Sequence, residues 1–300
     1  MSVQEKSYRR HADHFKPYRR GGERVERART WLQVDTVDAW RHRRLYQVLD
    51  PILIEDPKAT WLTVGDGRYG KDAKYILDRG CDALATDISD HLLQEAVRSG
   101  FLPRYRRENA ESLSFGDSTF DYVFCKDSYH HFPRPMVAFY EMLRVARKGV
   151  VLIEPNDYYL NEGFIQTAAK SLKKQLRALR GKQLERHLFE ESGNYIYCVS
   201  RREIEKAAVG LDCRVLAFRG INDFYLAGVE YEKISTNGRL QTKLRLMIRY
   251  ADLMCRLGAK EYQLLAALVF KEGPATALLT RLSGLGFEIR RLPVNPYLTS

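Results

Sequence analysis

Cysteine is scarce and scattered. The 300 residues include five (Cys81, Cys125, Cys198, Cys213, Cys255), with no C-x-x-C pair among them. Their odd number and wide spacing argue against a disulfide framework or a zinc site, and a reducing cytoplasm is the expected compartment. Long apolar runs are missing as well. No stretch of about 18 uncharged apolar residues occurs, so no transmembrane helix is expected. The first twenty residues hold basic side chains but no apolar segment, unlike a secretory signal. Internal repeats and low-complexity tracts are absent. What remains, 45% hydrophobic and 29% charged residues, is the mix of a soluble globular protein. At roughly 150 residues per domain, the length allows two domains or one enlarged α/β domain.

Acid is the other shortage. Lys and Arg number 49 against 38 Asp and Glu, a formal charge of +11. Residues 1–44 alone hold twelve Lys or Arg and six Asp or Glu, so over half of the excess lies there. Such a surface favours phosphorylated substrates, anionic headgroups or nucleic acid, or is simply solvated.

The chain alternates strand and helix patterns. Trp61–Val64 reads as a short buried strand, followed by a Gly-rich turn and a helix over Lys71–Arg79 that Gly80 ends. Ala83–Thr86 is the next strand, and HLLQEAVRSG a helix. Phe120–Cys125, Val150–Ile153, the CRVLAFRG segment and Leu265–Lys271 read as strands, with helices over Pro135–Arg147 and SRREIEKAAVG. GPATALLTRLSGLGFEIRRLPV closes the chain as helix plus strand. Alternation of this kind implies a parallel sheet with helices on both faces. Residues 1–50 read as a basic N-terminal helical cap on a domain spanning 51–300. Helical insertions fall at about 156–200 and 225–262.

Gly65-Asp66-Gly67-Arg68-Tyr69-Gly70 is a G-x-G-x-x-G run between a strand and a helix. Glycine lets a ligand approach the main chain. Asp87 lies 22 residues past Gly65, at the end of the next strand, where a carboxylate can accept both hydroxyls of a ribose. Together they point to a nucleoside cofactor. The bland alternative is a tight turn beside a surface Asp. The loop alone does not choose between NAD, whose pyrophosphate would sit at the helix N-terminus, and S-adenosylmethionine.

The blocks ENAESLSF, FDYVFCKDSYHHF and MLRVARKGVVLIEP, between Trp61 and Pro155, resemble class I S-adenosylmethionine-dependent methyltransferases of the type 11 branch. The resemblance implies a Rossmann-like α/β fold with a mostly parallel seven-stranded sheet. It implies that Gly65 and Gly67 pass beneath the methionine moiety, that Asp66 between them is also cofactor-binding, that Asp87 holds the ribose, and that Ile88 lies on the adenine. Asn109, Ala110 and Glu111 would flank the adenine edge, with Asn109 offering a carbonyl acceptor. Cys125 and Lys126 would offer backbone carbonyls to the cofactor amine. Two departures stand out: Thr63 replaces the usual acid in the first strand, and Tyr69 takes the place of the third loop glycine.

Methyl transfer is an in-line displacement that depends on alignment, and an alcohol acceptor gains from a nearby base. Histidine suits that role. In sugar O-methyltransferases that resemble this branch, a His-His pair and an acid after the following strand surround the hydroxyl. The correspondence falls on His130, His131 and Glu154, with the choice of base between the histidines open. Asp127 is a second acid near the pocket. Trp40 or Arg44 is placed to cover the cofactor or pair its carboxylate, the alternative being an ordinary packed helix; Tyr158 and Tyr159 either line the acceptor pocket or pack beneath the insertion. The expected acceptor is a sugar or glycan-precursor hydroxyl. Another small metabolite or RNA are alternatives, with nucleic acid disfavoured because CKDSYHH stands where base-methylating enzymes carry N-P-P-Y. Readings from other classes are an NAD-dependent oxidoreductase and an inactive cofactor-binding subunit. No metal cluster is visible. The 170–186 helix holds seven Lys or Arg and one Glu, the pattern of a helix resting on anionic membrane, a charged surface helix or a lid.

Overall fold

The computed structural model describes residues 3–14, 23–157, 189, 194–235 and 238–297. Eight strands form one sheet: β1 Thr60–Val64, β2 Asp82–Asp87, β3 Tyr105–Arg107, β4 Phe120–Lys126, β5 Ala146–Pro155, β6 Val215–Ile221, β7 Leu264–Phe270 and β8 Glu288–Arg291. Their order is β3-β2-β1-β4-β5-β7-β6-β8. Pairing is parallel from β3 through β5, and β7 runs antiparallel between β5 and β6. This is a Rossmann-like α/β fold, the fold that the resemblance implies. The sheet has one strand more than the expected seven: the three-residue β3 on the β2 edge, which the sequence pattern does not announce. β8 lies antiparallel on the β6 edge, where Val215 pairs with Arg291.

The helices are α1 Val3–His14, α2 Glu23–Thr30, α3 Val37–Tyr46, α4 Asp50–Glu55, α5 Lys71–Leu77, α6 His91–Arg98, α7 Pro135–Val145, α8 Arg201–Gly210, α9 Arg239–Arg256 and α10 Thr276–Gly284. Their ends follow local chemistry. Thr36 caps α3 by accepting the Ala39 amide, and Ser200 with Glu203 forms a reciprocal capping box on α8.

Both faces of the sheet are covered, which is why its strands read as continuous apolar runs. Successive side chains point to opposite faces, and the core divides accordingly. Trp61, Phe124, Val151 and Ile153 pack with Ile52, Ile76, Leu92 and Leu278 on one side. Leu62, Val64, Val123 and Leu152 pack with Phe139, Met142 and Ile204 on the other. The chain reverses its winding between β1 and β4, and the crevice outside those strand ends is where sheets of this type take ligands.

Candidate functional site

The turn from β1 into α5 has no room for side chains at its glycines. Gly65 adopts φ +76°, and a Cβ there would lie 2.4 Å from Cβ of Ser128, whose hydroxyl donates to the Gly65 carbonyl at 2.7 Å. A Cβ on Gly67 would lie 2.7 Å from Oδ2 of Asp87. Tyr69, at the place of the third glycine, is held at φ +60° with its ring buried. The acid missing from β1 reappears three residues later. Asp66 accepts the amides of Asp72 and Ala73 at 3.1 and 2.9 Å and the Thr63 hydroxyl at 2.9 Å. Its carboxyl therefore caps α5. Burial first, then the neighbouring Asp72 charge, push it well above the usual carboxylate range.

Asp87 ends β2. Its carboxylate accepts the Ser89 amide at 2.7 Å. Burial pushes its pKa up to about 6, against the lowering effect of the Ser89 and Gly67 amides. Such a group lacks a counter-charge, and hydroxyl donors would supply what it lacks. The glycine turn and the buried acid thus fit a ribose.

A cavity of about 460 Å³ opens in the crevice. Gly65, Asp66, Gly67, Asp87, Ile88 and Lys126 are on its wall, and so are Asn109, Ala110 and Glu111. Cys125 is not: its thiol points into the core, 3.8 Å from Oε1 of Glu154. Burial and that carboxylate raise it well above the usual thiol range. Asn109 is already engaged, since its carbonyl oxygen accepts the Glu111 amide at 3.0 Å. The Asn109 oxygen expected to meet the adenine edge therefore serves the local turn.

Charge in the cavity is unevenly paired. Lys126 lies 2.9 Å from Asp127 and 3.8 Å from Asp72, which also accepts the Tyr46 hydroxyl at 2.7 Å. Burial alone would lower the Lys126 pKa, but the two acids carry it above its ordinary value. Asp127, at φ +51°, turns the chain sharply at the cavity wall. Arg68 and Lys71 have no carboxylate partner among the described residues. Arg68 lies 5.0 Å over the Trp31 ring. Burial brings Lys71 down to about 8, the nearby Lys126 and Arg68 adding to the effect against Asp38. These cations suit the carboxylate of an amino-acid tail.

The histidine loop, Tyr129–His131, forms a 3₁₀ turn after β4. Glu154, fully buried at the end of β5, holds it. Its Oε1 accepts the amides of Ser128 and Tyr129, each at 2.9 Å, and its Oε2 lies 2.6 Å from Nδ1 of His130. His130 and Glu154 are behind the cavity wall; His131 is on it. The two rings touch, their centroids 3.9 Å apart. From the far side, the Asn194 side chain donates to the His131 carbonyl at 3.1 Å.

The N-terminal helices close the cavity. α1 brings Ser7 and Tyr8, α2 Arg27, and α3 His42 and Tyr46, with Trp31 just after α2. Tyr8 donates to Glu111 at 2.6 Å, and Glu111 also accepts from the Arg134 amide and guanidinium. Burial, then nearby cations, keep His42 far below its usual pKa and so neutral. Its Nδ1 has no hydrogen-bond partner. The side of α3 expected to cover the cofactor is the wrong one. Trp40 and Arg44 face α9 and the loop before it: Arg44 donates to the Asn222 carbonyl at 3.2 Å, and Arg245 lies 5.5 Å over Trp40. A shift of two residues turns a helix face by roughly 200°, so His42 and Tyr46 are the α3 residues on the cavity wall. Tyr158, Tyr159 and the 170–186 helix lie outside the described residues.

Sequence reasoning missed Tyr8, His42, Tyr46, Arg68, Lys71 and Ser128. Arg68 and Lys71 carried a signal, because they lie inside or next to the glycine run. Ser128 adjoined the histidine pair. The cap residues carried none, since helices of this composition do not announce which face turns inward.

Residues 62–153 match the family model for a methyltransferase domain. No curated protein matches the chain. Among solved structures it is similar to the YcgJ protein of Bacillus subtilis (17% identity, covering 76% of this chain and 99% of that one, TM-score 0.46). A second is a SAM-dependent methyltransferase from Archaeoglobus fulgidus (13%, 76% and 94%, TM-score 0.48). A third is the magnesium protoporphyrin IX methyltransferase of Synechocystis with bound S-adenosylhomocysteine (13%, 89% and 97%, TM-score 0.46). The chain carries a methyltransferase domain, and the cofactor of that domain is S-adenosylmethionine.

Proposed function

We propose that this methyltransferase acts on a hydroxyl of a sugar or glycan-precursor unit, with His131 as general base. The observation that carries the reading is the position of His131 on the wall of the cavity that also holds Asp87 and the glycine turn. When bound, the cofactor supplies a methyl group made electrophilic by positive sulfur. Asp87 would accept the ribose hydroxyls, and Arg68 and Lys71 would face the carboxylate of the methionine tail. His131 would take the proton of the acceptor hydroxyl as its oxygen bonds the methyl carbon and the carbon–sulfur bond breaks. His130, fixed by Glu154, acts through ring contact as a positioning residue. Neutral His42 adds an open acceptor or donor inside the cavity without adding charge to it.

The test is incubation with methyl-labelled S-adenosylmethionine and fractionated cell extract. Label in alkali-stable material of the glycan fraction is the expected result. Label confined to RNA or to amine-bearing metabolites would remove the sugar hydroxyl reading while leaving the methyltransferase.

A further inference from the structure

The strongest feature that the cavity does not absorb is the outer face of α9. Its inner face, with Leu244, Ile248 and Ala251, is buried, and Leu244 packs with Val37 and Val229. A second apolar stripe points away from the protein. Leu246, Tyr250, Leu253 and Leu257 are exposed by 60, 58, 54 and 70%. On a helix of 3.6 residues per turn these four fall within an arc of roughly 60°. Apolar side chains in a continuous exposed row mark a binding surface rather than ordinary surface scatter.

The charges around that row choose its occupant. α9 holds five cations (Arg239, Lys243, Arg245, Arg249, Arg256) and one acid, Asp252. Lys243 borders the stripe on one side and Arg249 on the other, and Arg239 stands at its N-terminal end, all three exposed. None of these three makes an ion pair among the described residues. Asp252 is turned from the stripe and accepts the Asn222 side chain at 2.8 Å. Just beyond the helix, Lys260 lies 5.3 Å over the Tyr250 ring. A second copy of this face would bring cations against cations. Anionic lipid headgroups match the charges while the acyl boundary takes the Leu and Tyr side chains. Among the described residues no helix is long and apolar enough to cross a membrane, so contact would be peripheral.

We propose that α9 seats the protein on an anionic lipid surface through Leu246, Tyr250, Leu253 and Leu257, with Lys243 and Arg249 on the headgroups. The segment between β6 and β7, which contains α9, leaves the sheet at the same carboxyl end as the cavity. A docked α9 therefore leaves the catalytic crevice on the membrane side of the sheet. This inference is independent of the acceptor named above.

The test is co-sedimentation of the full chain with vesicles of phosphatidylcholine plus phosphatidylglycerol, and with pure phosphatidylcholine. Binding to the mixed vesicles that fades at high salt is expected. Lys243→Glu with Arg249→Glu should weaken it about thirtyfold or more, and Leu246→Ser with Leu253→Ser should weaken it comparably. Both double variants should keep the far-UV spectrum and S-adenosylmethionine affinity of the parent. Unaltered vesicle binding in these variants, or equal binding to neutral vesicles, would overturn the proposal. So would a fall in oligomer mass in the Leu variant, which would assign the face to a second copy.

Discussion

At the scale of single residues, Asp87 shows how an acid on the cavity wall is kept buried at a cost to the fold. Its pKa rises from 3.8 to about 6 because burial disfavours the charge. A raised acid pKa means the folded chain holds the proton more tightly than the unfolded one. Its contribution therefore worsens as pH rises through about 4 to 6, reaching roughly 3 kcal/mol at neutral pH. Asp87→Asn should raise the melting temperature of the free protein at pH 7 and weaken S-adenosylmethionine binding, read by calorimetry. Loss of both stability and affinity would show that the carboxylate is needed by the fold itself. Gly67→Ala should also weaken binding, since its methyl would displace Asp87 Oδ2 from 2.7 Å. His131→Ala should lower kcat by about 10²–10⁴ with cofactor affinity kept. His130→Ala should act more mildly and shift the pH profile. Equal effects would take the base assignment from His131.

Tyr69 sets two residue-scale effects against each other. Its φ of +60° carries strain of about 1–2 kcal/mol, which glycine would relieve. Its ring is 1% exposed, and emptying that space costs about 3–5 kcal/mol. Burial wins, so Tyr69→Gly should lower the urea midpoint although it restores the glycine of the family pattern. Gly65, Gly67 and Asp87 were legible in the sequence because their roles depend on neighbours within one βαβ unit. Thr63 and Tyr69 were legible only as departures. Their compensation, the acid moved to Asp66 and the buried tyrosine ring, depended on contacts the spacing does not show.

At the scale of elements, Glu154 makes three contacts to the loop from Asp127 to His131. Glu154 accepts two peptide amides and contacts His130, all without exposure. Glu154→Ala would leave two buried amides unpaired and should cost about 3 kcal/mol or more, measured by urea unfolding. A change under 1 kcal/mol would mean the loop finds other acceptors. The alternation of strands and helices from β1 to β5 was readable because buried strands and amphipathic helices have different periods. The inward faces of α1, α2 and α3 were not. These helices pack against a cavity lined with polar groups, so their inner faces are polar too, and hydropathy does not separate them. The same reason pointed to Trp40 and Arg44, where the structure turns His42 and Tyr46 toward the cavity.

At the scale of the whole molecule, the sheet order follows from rules of connection, and the central strands were found where the pattern put them. β3 added an eighth strand because three residues, Tyr105–Arg107, two of them exposed, read as loop until β2 supplies their partner. Cofactor-induced stabilisation should vary with pH. At pH 5, protonated Asp87 loses an acceptor, so the rise in melting temperature with saturating S-adenosylmethionine should be smaller than at pH 7.5. A constant rise would dissociate Asp87 from the ligand.

Helix α3 belongs to two neighbourhoods at once. His42 and Tyr46 look onto the cavity, while Val37 and Trp40 rest against the long outer helix. A short rod with both flanks in use does not shift one and leave the other behind. Any push on its outer flank is therefore felt at the cavity. By thermodynamic reciprocity, whatever factor a docked surface lends to cofactor affinity, the cofactor returns to docking.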